Sequence, residues 1–446
     1  MLQVIKRDGT KVPFDKAKIA KAIEKAEHSS TGLFEEGLAD RIAGEIEDYA
    51  KAINKDLTIY AIEDQVYYKL LENKNPATAR AYENYKAVQA FKRQQNTTDD
   101  DIIGLLDRSN VAVLDENSNK DAAIVSTQRD LIAGEVSKDI ARRKIIPTDI
   151  LEAHDSGAIH FHDMDYIIQP MFNCCLINLE DMLNNGTVIN GKKIDTPKSF
   201  QVACTVTTQI IAQVASGQYG GQSINGIDRI LAPFVRKSYD KLLAQVIEEQ
   251  VEVYGMEPNM EKAKEIAWKR TRKEVKDGIQ TIQYQINTLM TTNGQAPFVT
   301  LFMHFDPKSE YAKEAALIDE EILKQRIQGV KNDANVYITP AFPKLIYVLD
   351  EHNIHPDAPY YYLTELAAKC TAKRMYPDYI SAKKMREIYD GNVFSPMGCR
   401  SFLAPWKDKN GNFKFDGRFN MGVVSLNLPQ IGILANGSEE KFFEIL

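Results

Sequence analysis

Near its carboxyl-terminal end the chain reads Phe394-Ser395-Pro396-Met397-Gly398-Cys399-Arg400-Ser401-Phe402-Leu403, a short segment that brackets a cysteine with a proline and a glycine. A thiol at the tip of such a tight loop can reach into a cavity that side chains on helices and strands cannot enter. The strand-like run Val423-Val424-Ser425-Leu426-Asn427 follows the loop. The alternative is that Cys399 is a small buried hydrophobe, as a lone cysteine often is. The chemistry of this thiol therefore has to be judged from the segments around it.

The loop, the strand after it and several earlier segments resemble the anaerobic (class III) ribonucleotide reductases. These segments occur in the family's order from about residue 97 to the end of the chain. The matching segments are Thr127-Gln128-Arg129-Asp130-Leu131, Ile159-His160-Phe161-His162-Asp163, Met171-Phe172-Asn173-Cys174, Gln209-Ile210-Ile211-Ala212-Gln213-Val214-Ala215-Ser216, Asn293-Gly294-Gln295-Ala296-Pro297-Phe298, Lys373-Arg374-Met375-Tyr376-Pro377-Asp378 and Gly422-Val423-Val424-Ser425-Leu426-Asn427-Leu428-Pro429. Residues 394–403 resemble the finger loop of that family, and we use this name for them.

The composition narrows the class of protein. The 446 residues are 44% hydrophobic and 26% charged, enough for a large core and more than one domain. No apolar run approaches the roughly 18 to 20 residues that span a bilayer, and the amino terminus lacks the apolar region of a signal peptide, so we expect a cytoplasmic protein without a membrane partner. The five cysteines are too scattered for a disulfide scaffold, and reduced thiols are expected. A net charge of −7 argues against a nucleic-acid partner.

Residues 1–96 read as a separate module. Residues 2–14 alternate around Asp8-Gly9, which predicts a β-hairpin because both turn positions favour positive φ. Four stretches with apolar residues at helical spacing follow, marked by Ile19 and Ile23, by Leu38, Ile42 and Ile46, by Ile59, Ile62, Val66 and Leu70, and by Ala79, Tyr82 and Tyr85. The polar tract Gln94-Gln95-Asn96-Thr97-Thr98-Asp99-Asp100-Asp101 has the composition of a linker. We therefore predict one domain over residues 1–96 and a second over residues 97–446.

The hairpin resembles the ATP-cone, a regulatory module that binds ATP or dATP. The resemblance lies in Val4-Ile5-Lys6-Arg7-Asp8-Gly9 with Phe14-Asp15 and Lys18-Ile19, although a charged solvated turn would explain the first segment alone. Lys6 offers a point charge and Arg7 a planar fork to a polyphosphate, and Lys18 projects from the first helix. The resemblance implies that these three residues bind effector phosphates. It also implies that ATP permits turnover and dATP suppresses it, which requires each ligand to prefer a different conformation or assembly.

The rest of the chain predicts an α/β fold. From about residue 102, helical periods alternate with short apolar strands, among them Val299-Thr300-Leu301-Phe302-Met303, Lys344-Leu345-Ile346-Tyr347-Val348-Leu349 and Val423-Val424-Ser425-Leu426. Such alternation favours a core of parallel strands. The family resemblance implies a ten-stranded α/β barrel of the ribonucleotide reductase and glycyl-radical enzyme type, incomplete in this chain, with the finger loop threaded through its centre.

The resemblance assigns the chemistry to Cys399 and Cys174. Removal of a ribose 2′-hydroxyl needs homolysis of the 3′ C–H bond, which a sulfur radical can perform and a closed-shell acid or base cannot. Cys399 matches the cysteine whose thiyl radical abstracts the 3′ hydrogen and later returns it, and Cys174 matches the cysteine that donates a hydrogen to the 2′ side. Cys175 is a rival of Cys174, but successive strand residues face opposite sides, so only one of them can face substrate.

Asn427 stands where aerobic relatives carry a second reducing cysteine. An amide cannot form a disulfide. The presence of asparagine at this position is therefore similar to the branch of the family that uses formate as the overall reductant. The resemblance implies that the Asn427 amide orients substrate or formate by hydrogen bonding.

Three further segments are weaker candidates. Asn173 and the segment Asn293-Gly294-Gln295 are assigned to substrate binding, although a helix-to-strand connection would explain the latter equally well. The glycine-rich segment Gly217-Gln218-Tyr219-Gly220-Gly221-Gln222-Ser223-Ile224-Asn225 lacks the Gly-Lys-Ser/Thr of a P-loop, which favours a plain turn. The spacing in His160-Phe161-His162-Asp163 could hold a metal, but the ligand set is incomplete and a structural role is favoured.

The family resemblance also implies parts that no segment of this sequence matches. These are a glycine whose backbone radical generates the cysteine radical, and a four-cysteine zinc site beside it. We therefore expect the chain to be a fragment that binds nucleotides without turnover. The resemblance further implies ribonucleoside triphosphate substrates, an iron–sulfur, S-adenosylmethionine-dependent activase and a homodimer or higher oligomer.

Two other classes of protein remain as alternatives. One is a non-enzymatic nucleotide sensor such as the ATP-cone transcriptional repressors, which are short and carry a zinc ribbon, whereas this chain has no CxxC pair. The other is a glycyl-radical enzyme of the pyruvate formate-lyase kind. Adjacent Cys174 and Cys175 fit that second class superficially, but it has no ATP-cone and leaves Cys399 and Asn427 unexplained.

Overall fold

A computed structural model of the chain describes residues 3–5, 11–29, 35–53, 55–109, 122–253, 255, 257–291, 294, 296–398 and 401–446, without the side chains of residues 87–97 and 253. These residues form two compact units, Met1–Ile103 and Gly104–Leu446. We describe each unit by itself.

The first unit is a small sheet packed with helices. Strands β1 (Gln3–Ile5) and β2 (Lys11–Pro13) pair antiparallel, and β3 (Leu57–Thr58) lies parallel to β1, which confirms the predicted hairpin. The four predicted helices are also confirmed. They are α1 (Lys16–Ser29), α2 (Leu38–Ile53), α3 (Ile59–Glu72) and α4 (Pro76–Leu106). Their apolar faces meet in a core in which Ile23, Ile42, Val66 and Leu70 are fully buried, as the i, i+4 spacing requires.

The polar tract at residues 94–101 is helical, which corrects its interpretation as an irregular linker. Helix α4 runs without interruption from Pro76 to Leu106. The tract contains neither glycine nor proline, so nothing in it breaks the backbone hydrogen bonding of a helix. The lack of apolar periodicity in this tract therefore does not indicate the absence of a helix.

The second unit is built on a six-stranded sheet in the order β13-β12-β9-β8-β5-β14. The strands are β5 (Cys174–Leu176), β8 (Gln222–Asn225), β9 (Val299–Met303), β12 (Lys344–Leu349), β13 (Asp378–Ser381) and β14 (Arg418–Asn420). The first five are mutually parallel and β14 pairs antiparallel with β5, so the predicted α/β fold with parallel strands is confirmed. All five residues of β9 are buried, as expected of a parallel strand covered on both faces. The resemblance implied ten strands, and the described residues supply these six to one sheet.

Helices cover this sheet and connect its strands. They are α5 (Val125–Ile140), α6 (Thr148–Asp155), α7 (Leu179–Asn184), α8 (Phe200–Ala215), α9 (Ile227–Glu248), α10 (Met260–Thr288), α11 (Ala312–Gln328), α12 (Glu351–Ile354), α13 (Tyr361–Arg374), α14 (Ala382–Ile388), α15 (Leu428–Ala435) and α16 (Glu439–Ile445). Phe200, Leu231 and Leu323 are fully buried in the shared core. In the part of the chain that the structure describes, no helix has both the length and the apolar character to cross a bilayer.

Three two-stranded ladders lie outside the large sheet. Strands β6 (Thr187–Ile189) and β7 (Lys192–Ile194) form one, β10 (Val330–Lys331) and β11 (Tyr337–Ile338) form another, and β4 (Ile159–Phe161) pairs antiparallel with β15 (Val424–Leu426). The last pair corrects the sequence interpretation, which placed residues 423–426 among the parallel strands of the core. Alternating apolar residues predict an extended backbone, but they do not say which strand it pairs with.

Candidate active site

The first half of the finger loop, residues 394–398, is buried although it has no regular secondary structure. All five residues from Phe394 to Gly398 are buried, and the backbone N–H of Met397 donates to the carbonyl of Ser401 at 2.7 Å. This bond joins two described residues that precede and follow Cys399 in sequence. Cys399 and Arg400 lie outside the described residues, so the structure gives the path of the loop on both sides of that thiol.

Side chains of β8 and β9 bond the backbone of this loop. The N–H of Ser395 donates to Oδ1 of Asn225 at 3.1 Å. The carbonyl of Gly398 accepts from Oγ1 of Thr300 at 2.9 Å and, at 3.5 Å, from Oγ of Ser223. Because a buried backbone polar group without a partner is costly, these contacts are what allow an irregular segment to lie inside the unit.

Glycines allow the loop and the sheet to approach closely. A Cβ at Gly220 would lie 2.6 Å from the carbonyl oxygen of Asn173, one at Gly221 would lie 3.1 Å from Cα of Gly398, and one at Gly398 would lie 2.7 Å from Sγ of Cys174. Gly398 also has a φ of 60°, which side chains disfavour. The glycine-rich segment, for which the sequence favoured a plain turn, is therefore a surface on which the finger loop packs.

The two adjacent cysteines have different surroundings. Sγ of Cys174 accepts the N–H of Gly221 at 3.2 Å and lies under Gly398, the residue that precedes Cys399. Cys175 is buried in the core on the opposite side of β5, where its thiol donates to Oε1 of Gln218 at 3.3 Å. Burial raises the pKa of the Cys175 thiol to about 12, with a further contribution from Cys174. Only Cys174 has its sulfur against the finger loop.

Two residues beside Cys174 were not found from the sequence. Asn420 pairs with Cys174 across β14 and β5, and its Oδ1 accepts the Cys174 N–H at 2.8 Å while its Nδ2 donates to Oδ1 of Asn173 at 3.2 Å. The phenol of Tyr219 donates to the carbonyl of Met421 at 2.9 Å, and burial raises the pKa of Tyr219 to about 12. Tyr219 lies in the glycine-rich segment and no motif marks Asn420, but both contacts join residues more than 200 positions apart, which the sequence alone cannot show.

A cavity of about 300 Å³ opens next to Tyr219. One of its walls is the stacked pair Tyr166 and Tyr219, with ring centroids 4.5 Å apart, and His162, Met171 and Met421 also line it. Nε2 of His162 is hydrogen bonded to the Ser425 hydroxyl at 2.8 Å, which ties the cavity wall to β15. Aromatic walls with a few polar groups are typical of a small-molecule site.

The structure does not join Asn427 to Cys174. Asn427 caps helix α15: its Oδ1 accepts the Gln430 N–H at 3.1 Å, and its Nδ2 donates to the carbonyl of Gly157 at 2.8 Å. Of the predicted substrate segment, Asn293 and Gln295 lie outside the described residues. Gly294 packs on α5, where its carbonyl accepts from the hydroxyl of Thr127 at 3.1 Å. The roles of these residues stay predictions.

The first unit has a cavity of about 250 Å³ beside the hairpin. Val12 and Phe14 from the hairpin side, Ile19 from α1 and Ile62 from α3 give it apolar walls, and Lys18 lies at its rim. The Lys18 side chain is 83% exposed and forms only a loose ion pair with Asp15, at 3.8 Å. The predicted phosphate ligands Lys6 and Arg7 lie outside the described residues.

Two family models match the sequence, one for each part of the chain. Residues 2–90 match the ATP cone domain. Residues 116–446 match the family described as anaerobic ribonucleoside-triphosphate reductase, which is well over half of the chain.

Individual proteins give the same result. The chain is 40% identical over 446 residues to the anaerobic ribonucleoside-triphosphate reductase of Escherichia coli, covering 99% of this chain and 60% of that protein. It is 44% identical over 356 residues to the enzyme of the same name from Enterobacteria phage T4, covering 78% of this chain and 56% of that protein. The chain thus spans about 60% of the length of the curated relatives it matches.

Solved structures share the fold. A structure of an anaerobic ribonucleotide reductase superposes with a TM-score of 0.51 at 13% identity, over 77% of this chain and 53% of that one. The Thermotoga maritima anaerobic ribonucleotide reductase, solved with glycerol in its active site, gives 0.51 at 12% identity over 80% and 59%. At such low identity these matches show the fold alone. With the family models and the curated relatives they lead to one conclusion: the chain belongs to the anaerobic ribonucleoside-triphosphate reductase family.

Proposed function

We propose that this protein takes part in the anaerobic reduction of ribonucleoside triphosphates to 2′-deoxyribonucleoside triphosphates by radical chemistry. The observation that carries the proposal is the contact of the Cys174 sulfur with Gly398, the neighbour of Cys399 in sequence. Cys174 and the residue that precedes Cys399, which are far apart in sequence, thereby lie against each other. Such a pair suits a reaction in which one sulfur starts a radical on the ribose and the other supplies a hydrogen atom.

In this proposal each of three residues has one role. The Cys399 thiyl radical removes the 3′ hydrogen atom, the 2′-hydroxyl leaves as water, and Cys174 donates a hydrogen atom to the 2′ carbon. Formate supplies the two electrons, so that one nucleotide, one formate and one proton give one deoxynucleotide, one carbon dioxide and one water. Asn427 orients substrate or formate through its amide, and Cys399 recovers its radical when the 3′ hydrogen returns.

The residues around Cys174 suit the substrate. We assign Asn173 to the ribose together with the Asn293-Gly294-Gln295 segment, and the cavity beside Tyr219 to part of the nucleotide. The stacked Tyr166 and Tyr219 rings offer a flat apolar surface, and the half-buried amides of Asn173 and Asn420 offer hydrogen bonds.

The wider proposal follows the family resemblance. A glycyl radical generated by an iron–sulfur, S-adenosylmethionine-dependent activase would oxidise Cys399. We also propose a cytoplasmic homodimer or higher oligomer, with a regulatory domain over residues 1–96 and a catalytic domain over residues 97–446.

The reductant provides the sharpest test of this function. A catalytically complete, activated form of the protein, incubated without oxygen with a ribonucleoside triphosphate and labelled formate, should release carbon dioxide and deoxynucleotide in a one-to-one ratio. Thioredoxin or glutaredoxin should not be needed, because Asn427 cannot share a disulfide with Cys174. Product that forms only with a dithiol protein, and without consumption of formate, would show that the mechanism is wrong.

We further propose that the first unit binds ATP and dATP as allosteric effectors. The match of residues 2–90 to the ATP cone domain and the cavity beside the hairpin support this proposal. Val12, Phe14, Ile19 and Ile62 would contact the base and sugar, while Lys6, Arg7 and Lys18 would bind the phosphates.

Calorimetric titration of the 446-residue chain tests the effector site. Replacing Lys6 and Arg7 by alanine should weaken ATP and dATP binding by about 2–5 kcal/mol, as expected when charge-assisted contacts are lost. A matched control replaces Lys21 and Lys25 on the exposed side of α1, which removes the same charge and should leave affinity nearly unchanged. Equal affinity in both double variants would remove Lys6 and Arg7 from the site.

A further inference from the structure

Residues 394–398 of the finger loop are buried without regular secondary structure, so specific contacts must fix their position along the sheet. We propose that Asn225 and Thr300 are positioning residues that hold the finger loop, and with it Cys399, at one height on β8 and β9. This inference rests on the proposed function for its catalytic consequence, but its structural part can be tested without turnover.

The buried backbone groups of residues 394–398 have lost contact with water and need partners within the protein. Residues 394–398 are buried, and Pro396 has no N–H to donate. The Ser395 N–H is bonded to the Asn225 amide, and the Gly398 carbonyl is bonded to the Thr300 hydroxyl. A side chain without a polar group at 225 or 300 would leave one of these buried groups without that partner, which costs more than the bond itself contributes.

Asn225 and Thr300 bond the loop at two separate points from one face of the sheet. Ser223 and Asn225 lie two residues apart on β8 and so share one face of the sheet, and Ser223 is directly opposite Thr300 on β9. Asn225 bonds the loop at Ser395 and Thr300 bonds it three residues later, at Gly398. Two bonds at separate points oppose both sliding and tilting of the loop, which a single bond could not do.

Asn225 contacts residues that precede Cys399 in the sequence and residues that follow it. Its Oδ1 accepts from Ser395, which precedes the thiol, and its side-chain amide also interacts with the carboxyl group of Asp416, which follows it. One side chain therefore links the incoming and the outgoing parts of the segment. The other face of β8 is used differently: Gln222 bonds the carbonyl of Ile211 on α8, and Ile224 packs in the core.

Hydrogen–deuterium exchange of the 446-residue chain tests the structural part. Thr300→Val and Asn225→Ala should each speed exchange in peptides covering residues 394–403 by roughly 3- to 10-fold, the range expected for one hydrogen bond. Thr300→Ser, which keeps the hydroxyl, should restore slow exchange. The matched control is Thr271→Val, because Thr271 is equally buried but its hydroxyl donates to Ala267 within its own helix. That control should leave exchange in the loop unchanged, and exchange that is equally slow in all variants overturns the inference.

Activity of the activated, catalytically complete enzyme tests the consequence. Thr300→Val should lower kcat more than it raises KM, because a displaced radical site affects the reaction more than binding of the nucleotide, and Thr300→Ser should recover most of kcat. If exchange in the loop rises while kcat stays unchanged, the loop is positioned as inferred but the role proposed for Cys399 fails. If exchange does not change, the positioning inference fails whatever the activity.

Discussion

The two sides of the proposed active site are held in different ways. On one side, residues 394–398 of the finger loop are buried against β5, β8 and β9, with glycines in close contact and backbone groups bonded to Asn225 and Thr300. On the other side β15 pairs only with β4 among the described residues, and Val424 and Leu426 are 55% and 57% exposed. Packing within this chain thus fixes the position of Cys174 relative to the loop, whereas Asn427 is held by a single ladder, a helix cap and hydrogen bonds to Gly157 and Ala158.

The largest expected effect separates the cysteines on the first side. In the activated enzyme, Cys399→Ser and Cys174→Ser should each abolish deoxynucleotide formation, because the stronger O–H bond of serine cannot replace the sulfur chemistry. Cys175→Ser should keep most of the activity, since that thiol faces the core and bonds Gln218. Product is measured by chromatography, with calorimetric ATP binding as the control for folding. Equal loss in the Cys175 and Cys174 variants would contradict the assignment.

The next effect compares one substitution on the two sides. Gly220→Ala should destabilise the second unit by about 1–3 kcal/mol, because the new Cβ would meet the Asn173 carbonyl and the Cys174 sulfur and the backbone would have to shift. Gly432→Ala in α15 meets nothing within 4 Å and should be neutral or stabilising by up to about 1 kcal/mol.

Tryptophan fluorescence can follow both variants during denaturation. The two tryptophans of the chain, Trp268 and Trp406, lie in the second unit, so the signal reports on that unit alone. Similar changes in the free energy of unfolding for the two alanine variants would mean that Gly220 is not closely packed on Asn173 and Cys174.

A smaller effect concerns Asn427 itself. Asn427→Ala should reduce stability by about 1 kcal/mol through loss of the helix cap and the bond to Gly157, yet abolish most turnover. Ser438→Ala is a matched control, because Ser438 caps the next helix, α16, in the same way. Its stability loss should be similar and its turnover normal. Should both variants keep full activity, Asn427 would have only a structural role.

The smallest effect is a pH dependence of stability that comes from the carboxyl group of Asp416, beside Asn225. Burial raises the pKa of Asp416 from 3.8 to about 6, while Arg229 and Asn225 oppose the shift and Glu180 adds to it. Because the folded state then holds the proton more tightly than the unfolded state, this group favours folding most at low pH, and that contribution is lost as pH rises through about 6.

We expect the unfolding free energy of the second unit to fall by less than about 1 kcal/mol between pH 5 and pH 7.5 from this group alone, after allowance for solvent screening. Asp416→Asn should remove that part of the pH dependence, which parallel denaturation curves at several pH values would show. A pH profile that is identical in the two proteins would mean that Asp416 is not buried when the loop is in place.

Local patterns were enough to predict much of the fold. The i, i+4 spacing of Ile19 and Ile23 predicted the first helix, and Asp8-Gly9 predicted the hairpin, because each signal depends on neighbouring residues only. The apolar run at 299–303 likewise predicted a buried strand. Alternation along a strand also predicted that Cys174 and Cys175 would face opposite sides.

Contacts between distant segments could not be predicted in this way. The packing of Gly398 on Gly221 joins positions 177 residues apart, and the hydrogen bond of Asn420 to Cys174 joins positions 246 apart. From sequence alone, the pair Gly220-Gly221 indicates only a turn, because its contact with Gly398 is not visible there. The placement of residues 423–426 among the parallel core strands was wrong for the same reason, because the strand pattern does not show that β15 pairs with β4.

The alternation of β8 has a consequence for how a gene encoding this protein can vary. Ser223 and Asn225 face the loop while Gln222 and Ile224 face the helices. Insertion or deletion of a single codon in this strand would exchange the two sets, turning an apolar side chain toward the loop and a polar amide toward the core. Many exchanges of one amino acid for another would be milder, so the length of this four-residue strand should be under stronger selection than its composition.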